Sequence, residues 1–99
     1  MKYKLIITVK KIRGKCPLYK PRDRIVIDEF YVSTKESKDI CMHAFGAMLS
    51  LASIMVHGFS TKELGLSPKE NVGYLQCPDP GPPCTKGGTV LFEIRRVKR

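Results

Sequence analysis

Tryptophan is absent from this 99-residue chain, and asparagine and glutamine occur once each, as Asn71 and Gln76. Few thermolabile amides beside 18 Lys and Arg fit a heat-adapted, thermostable protein. In such a setting intracellular disulfides form. Long apolar runs are missing too. The longest uncharged stretch, 40–61, contains two histidines, two glycines and several hydroxyls. A spanning helix needs about 20 predominantly apolar residues, so no membrane segment is expected. The first 13 residues lack an apolar core with a small-residue cleavage site. Cytoplasmic localisation is the resulting expectation. No GxGxxG, P-loop, GxSxG, HExxH or EF-hand pattern occurs. The reading therefore leans away from an enzyme, and no catalytic residue or cofactor is assigned.

The chain has the length of one domain, 1–99. Positive charge is concentrated at its two ends. Residues 1–24 hold nine Lys and Arg against Asp23 alone, and residues 86–99 hold five against Glu93. Residues 25–85 hold four against seven acids. Nine cations near the start, with Tyr3 and Tyr19 among them, would attract a phosphate backbone, so a basic nucleic-acid binder is one expectation. Lysine-rich strands are also used as solvated faces or edge protection, and that plainer reading stands beside it.

Tyr3, Leu5, Ile7 and Val9 alternate with polar neighbours and predict a strand, with a bulge at Lys10–Lys11 where the phase slips. Ile, Val, Phe and Tyr over 24–32 predict a second strand. Residues 72–77 and the alternation of Val90, Phe92 and Ile94 predict two more. Between them lies a helix over about 38–57, with Ser37 as N-cap, Asp39 in the first turn and Gly58 as its stop. The order ββαββ implies an α+β domain, a mostly antiparallel sheet of about four strands packed on one long helix.

That helix carries no charge. Cys41, Ala44, Phe45, Met48, Leu51, Ala52 and Met55 form its apolar stripe. His43, Gly46, Ser50, Ser53 and His57 share a second face by their 3-4-3-4 spacing. A small domain with an uncharged helix face has a reason to oligomerise, so this face is the expected homo-oligomer contact. The alternative is that loop 59–71 covers it. The two histidines lie about 21 Å apart along the axis and cannot ligate one metal within one subunit.

Cys16, Cys41, Cys77 and Cys84 contain no CxxC pair. Tight pairs pre-organise most structural metal sites, so the spacing lowers that reading without removing it. Three readings stay open. The thiols are free and serve packing. Cys77 and Cys84 close a proline-stiffened loop, worth about 2.5 kcal/mol in the chain-entropy account. Or Cys16, Cys41 and Cys77 gather as a metal or redox site. Cys41, placed in the first helical turn, is the candidate reactive thiol, because orphan N–H groups and the helix dipole favour a thiolate there. Pro78, Asp79, Pro80 and Gly81 form a stiff candidate binding loop, in which Asp79 most simply closes an Asx turn.

Gly14-Lys15-Cys16-Pro17, Ile40-Cys41, Gln76-Cys77-Pro78-Asp79-Pro80-Gly81 and Gly87-Gly88-Thr89-Val90 with Phe92-Glu93-Ile94 resemble a family of small prokaryotic proteins frequent in archaea and anaerobic bacteria. The resemblance spans nearly the whole chain. It implies a fold and three cysteine positions, Cys16, Cys41 and Cys77, but no activity. The chain departs from that pattern at Arg22, where a glycine is usual before the aspartate, and at Cys84, an addition. The reading drawn from all of this is a small non-enzymatic binding, interaction or structural module with a thiol site. The alternatives are a metal- or redox-active cysteine protein and a basic nucleic-acid binder.

Overall fold

Alternation of side chains on the first and last strands decides the architecture. The computed structural model describes residues 3–99. Its elements are β1 (Tyr3–Gly14), β2 (Arg24–Asp28), β3 (Tyr31–Val32), α1 (Met42–Val56), β4 (Val72–Gln76) and β5 (Gly88–Lys98). They form one antiparallel sheet in the order β3-β2-β1-β5-β4. The ends of the chain are thus paired down its middle. Leu5, Ile7 and Val9 of β1, Ile25 and Ile27 of β2, and Val90, Phe92 and Ile94 of β5 point to one face. Against them α1 buries Ala44, Met48, Ala52 and Met55. The expected bulge falls between Val9 and Lys11. Among the described residues no helix is long and apolar enough to cross a membrane.

The α+β class and the antiparallel sheet match the sequence reading, but the strand count is five rather than four. The segment 24–32 is a hairpin, not one strand. Glu29 turns the chain at φ 59°, and Asp28 then pairs with Tyr31. Ile25 and Ile27 face the core, so an unbroken strand would drive Glu29 into it.

The helix is also shorter than 38–57. Ser37 is not its N-cap. The Ser37 hydroxyl accepts the Val26 N–H at 2.9 Å, while Ser33 N–H donates to Val26 O and Lys38 N–H donates to Arg24 O, each at 2.8 Å. Segment 33–38 is therefore bonded along β2 and its backbone groups are not free for a helical turn. Cys41 takes the cap position instead, and Asp39 lies before the first turn. Gly58 ends the helix as expected, at φ 96° with its N–H on Met55 O.

The C-terminal end of α1 has no basic residue of its own. Arg96 of β5 supplies the cation. It is 8% exposed and sits on the core face of the sheet. Its guanidinium donates to Met55 O (3.0 Å), Phe59 O (2.5 Å), Glu70 O (3.2 Å) and Asn71 Oδ1 (2.7 Å), and stacks over the Tyr3 ring at 5.2 Å. Helix carbonyls at a C-terminus carry partial negative charge, so a cation is favoured there. One side chain thereby ties the helix end, loop 59–71 and β1 together.

Two outcomes follow for stability. Arg96→Met keeps the stem but leaves several buried carbonyls without a donor, and is expected to lower unfolding free energy by about 3 kcal/mol in urea titration. A loss below about 1 kcal/mol would show that the staple is dispensable. Arg22 adopts φ 79°, the region where a glycine has no steric cost. Arg22→Gly is expected to raise stability by roughly 0.5 kcal/mol, the relief of strain less the added freedom of the unfolded chain. A lowered urea midpoint would contradict that reading.

Candidate functional site

The site begins where the β1–β5 ladder stops. Gly14 pairs with Gly88 at its last rung. A Cβ on Gly88 would lie 2.6 Å from Arg13 O and 2.7 Å from Lys15 N, so only glycine permits the strands to close this far. Two residues on, Cys16 enters a turn and its sulfur accepts the Tyr19 N–H at 3.3 Å. Tyr19 then folds into the core. Its ring meets Phe92 edge to face at 5.8 Å, and its hydroxyl accepts the Cys41 N–H at 2.8 Å. Burial pushes the Tyr19 phenol up from its ordinary pKa. Tyr19 thus holds the helix cap, where the Cys41 side chain makes no capping bond.

Cys77 follows β4 and is buried. Its sulfur accepts the Val90 N–H at 3.2 Å and its S–H points at Gly88 O, 3.6 Å away. Cys16, Cys41 and Cys77, from three distant segments, line one cleft of about 370 Å³. Leu18, Ala44, Pro78 and Val90 supply its apolar wall, and His43 and Asp79 also border it. The volume and character are those of a small-molecule site. Among the described residues no three His, Cys, Asp or Glu side chains stand close enough to hold a metal ion. The three thiols share a cleft without forming a ligand cage.

The proline loop forms one wall. Asp79 closes an Asx turn, accepting the Gly81 N–H at 2.8 Å and the Thr85 hydroxyl. These donors, Thr85 first, hold its carboxyl below the usual aspartate range. From outside, Arg13 donates to Pro80 O at 2.6 Å and Thr89 Oγ1 donates to Asp79 O at 2.5 Å. The loop is therefore braced from both strands of the central ladder.

The remaining expected residues fall elsewhere. Cys84 is exposed and outside the cleft, and of the three readings left open for the thiols the structure has the first, with Cys77 and Cys84 unbonded. Cys77 instead turns its sulfur towards β5. Cys41 occupies the cap rather than the first turn and is half-buried. His43, Gly46, Ser50, Ser53 and His57 are all exposed, so loop 59–71 leaves that face open. Tyr19, counted among the basic residues as a phosphate neighbour, is 4% exposed and reaches no external partner. It is the site residue that sequence reasoning misplaced. The signal was present as an apolar pair, Leu18-Tyr19, inside an otherwise cationic stretch.

Comparison with protein-family models, with curated proteins and with solved structures finds no match to this chain.

The geometry orders the thiols by access. Under native conditions a disulfide reagent is expected to modify Cys84 first, Cys16 and Cys41 more slowly, and Cys77 only with unfolding. Peptide mapping of a labelling time course would read the order, and early modification of Cys77 would refute the packing described here.

Proposed function

We propose that this protein is a non-enzymatic binding module whose working part is the thiol-lined cleft between the start of α1 and the loop 78–81. The observation that carries this reading is the convergence of Cys16, Cys41 and Cys77 on one largely apolar cleft. A ligand of matching chemistry is small and apolar, with soft sulfur atoms and the His43 imidazole available to a polarisable or electrophilic group. The loop supports binding because its shape is already set. Prolines fix the backbone and Asp79 is engaged in its turn, so little conformational freedom is lost on contact. The same engagement makes Asp79 a weak general base, since both donors fall on its Oδ1 and hold its carboxyl below the usual aspartate range.

A fragment set of small apolar compounds, read by amide chemical shifts in NMR, tests this. Shifts are expected to gather at residues 16–19, 41–44 and 77–79. Cys16→Phe, which fills the cleft, is expected to weaken binding roughly tenfold or more, whereas Cys16→Ser keeps the space and most of the affinity. Shifts scattered elsewhere, or equal binding by the filled variant, would sink the proposal. Metal analysis of anaerobically purified protein supplies a second arm. Stoichiometric metal that is lost in Cys16→Ser would replace the small-molecule reading with a metal centre.

A further inference from the structure

The face of the sheet opposite α1 is not used by the thiol cleft. Strand alternation puts Leu5, Ile7 and Val9 under the helix and turns Lys4, Ile6 and Thr8 the other way. On β5, Phe92, Ile94 and Arg96 face the core, so Leu91, Glu93, Arg95 and Val97 face outward. Because β1 and β5 are neighbours, the cations of both chain ends meet on this one surface. Lys4, Lys10, Lys11, Arg13, Arg24 and Arg95 lie on it, against Glu93 near its centre, Asp28 at one corner and Glu36, which reaches Lys4 from segment 33–38. The bulge between Val9 and Lys11 contributes by presenting two successive lysines, both exposed.

The three acids are already committed, Glu36 to Lys4 at 3.4 Å. Glu93 is met by Lys10 at 4.0 Å and Arg95 at 3.4 Å, and it accepts the Tyr74 hydroxyl at 3.2 Å. Asp28 is held by Arg99. The Arg99 guanidinium, through its hydrogen bond, holds the Asp28 carboxyl below the usual aspartate range. Lys11 and Arg24 make no ion pair among the described residues, which leaves the middle of the surface net positive.

Edge protection does not explain all of this charge. Lysines guard the outer strands of a sheet, where unpaired backbone groups would recruit another chain. The outer strands of the sheet are β3 and β4, whereas Lys4, Arg24 and Arg95 sit where the backbone is bonded on both sides; Lys10, Lys11 and Arg13 lie on the end of β1 that pairs with β5 alone. The long stems cover Ile6 and Leu91, which are only partly exposed, while their heads reach solvent.

We infer that this sheet face, closed over the buried Val26 on β2 but exposed at Lys10, Lys11 and Arg95, binds single-stranded nucleic acid through its phosphate backbone. Charge complementarity selects a polyanion. Tyr74 stands on the same face, 38% exposed beside Glu93, and offers a ring on which a base can stack. Beside it, Lys11, Arg13, Gln76, Thr89 and Leu91 line a shallow groove of about 280 Å³, where cationic heads, an amide and a hydroxyl lie together. A duplex is disfavoured, because among the described residues the only helix covers the opposite face and no element projects to enter a groove.

Fluorescence anisotropy with labelled oligonucleotides of about 20 nucleotides, single-stranded and duplex, from about 0.05 to 0.2 M salt, tests the inference. Single strands are expected to bind at about 0.15 M salt, roughly tenfold tighter than the duplex. Lys11→Glu with Arg95→Glu is expected to weaken binding at least about tenfold and to flatten the salt dependence by about 0.7 for each phosphate no longer neutralised. Tyr74→Ala is expected to cost about fivefold or more at unchanged salt slope. Lys62→Glu with Lys69→Glu carries the same change of net charge in loop 59–71 and is expected to bind within about twofold of the parent. Circular dichroism melting establishes that each variant is folded, and Lys11→Gln replaces the double reversal if that variant does not fold. Three results would overturn the inference. These are equal weakening by both double variants, equal affinity for duplex, and loss of single-strand binding by about 0.15 M salt.

Discussion

The antiparallel pairing of β1 with β5 is the constraint on which the rest of the structure depends. It joins the first and last strands of the chain along eleven residues of β5, so the sheet closes only when its most distant parts meet. Three consequences come from one register. Leu5 stands opposite Arg96, which delivers a cation to the end of the helix. Gly14 stands opposite Gly88, which brings the Cys16 turn against the segment after Cys77. Ile6 stands opposite Arg95, which joins the two basic ends on the face away from the helix. A slip by one residue would reverse all three, because side chains alternate with a period of two.

Arg96 is the exception that this register makes tolerable. A cation on a core face is costly unless its donors are satisfied. Here the partners are carbonyls that the helix end and its following loop would otherwise leave bare, so one unfavourable group meets several others. Its Nε is the one buried side-chain nitrogen or oxygen without a partner among the described residues. Loop 59–71 has little regular structure; it is attached by this guanidinium, by the Tyr74 N–H on Leu66 O and by the Arg96 N–H on Asn71 O, and is held internally by bonds of Ser60, Thr61 and Ser67.

At the opposite end of the ladder the cysteines behave as soft polar groups inside an apolar wall. The Cys16 and Cys77 sulfurs each accept a backbone N–H, and Cys41 is fixed through its own N–H by Tyr19. The strands, the helix start and the proline loop therefore share a small set of bonds. The cleft between them is a product of packing rather than a gap in it. The molecule divides its chemistry by face: sulfur and apolar groups on the helix side, charge on the other.

Much of this was legible in the residues. Period-two alternation marked β1 and β5, the slip at Lys10 marked the bulge, and the absence of charge over 40–57 with Gly58 after it marked the helix and its end. Those signals are local, and local sterics and burial decide them. Glu29 was a readable turn signal as well, since a third inward position there could not accept a carboxylate. The helix start was not readable, because Ser37 is an acceptable cap until Val26 claims its hydroxyl. Tyr19 could not be told from a surface aromatic, because its partner is Cys41, 22 residues away. The meeting of Cys16, Cys41 and Cys77 was available only as one grouping among several. By itself the sequence determined the α+β class, the two long strands, the body and end of the helix and the stiff loop, and that positive charge lies at both ends. Only the tertiary structure decided that those ends lie side by side, that Arg96 turns inward, and that three of the four thiols share a cleft. Strand partners are chosen by long-range pairing and core packing, and no periodicity within a single segment encodes that choice.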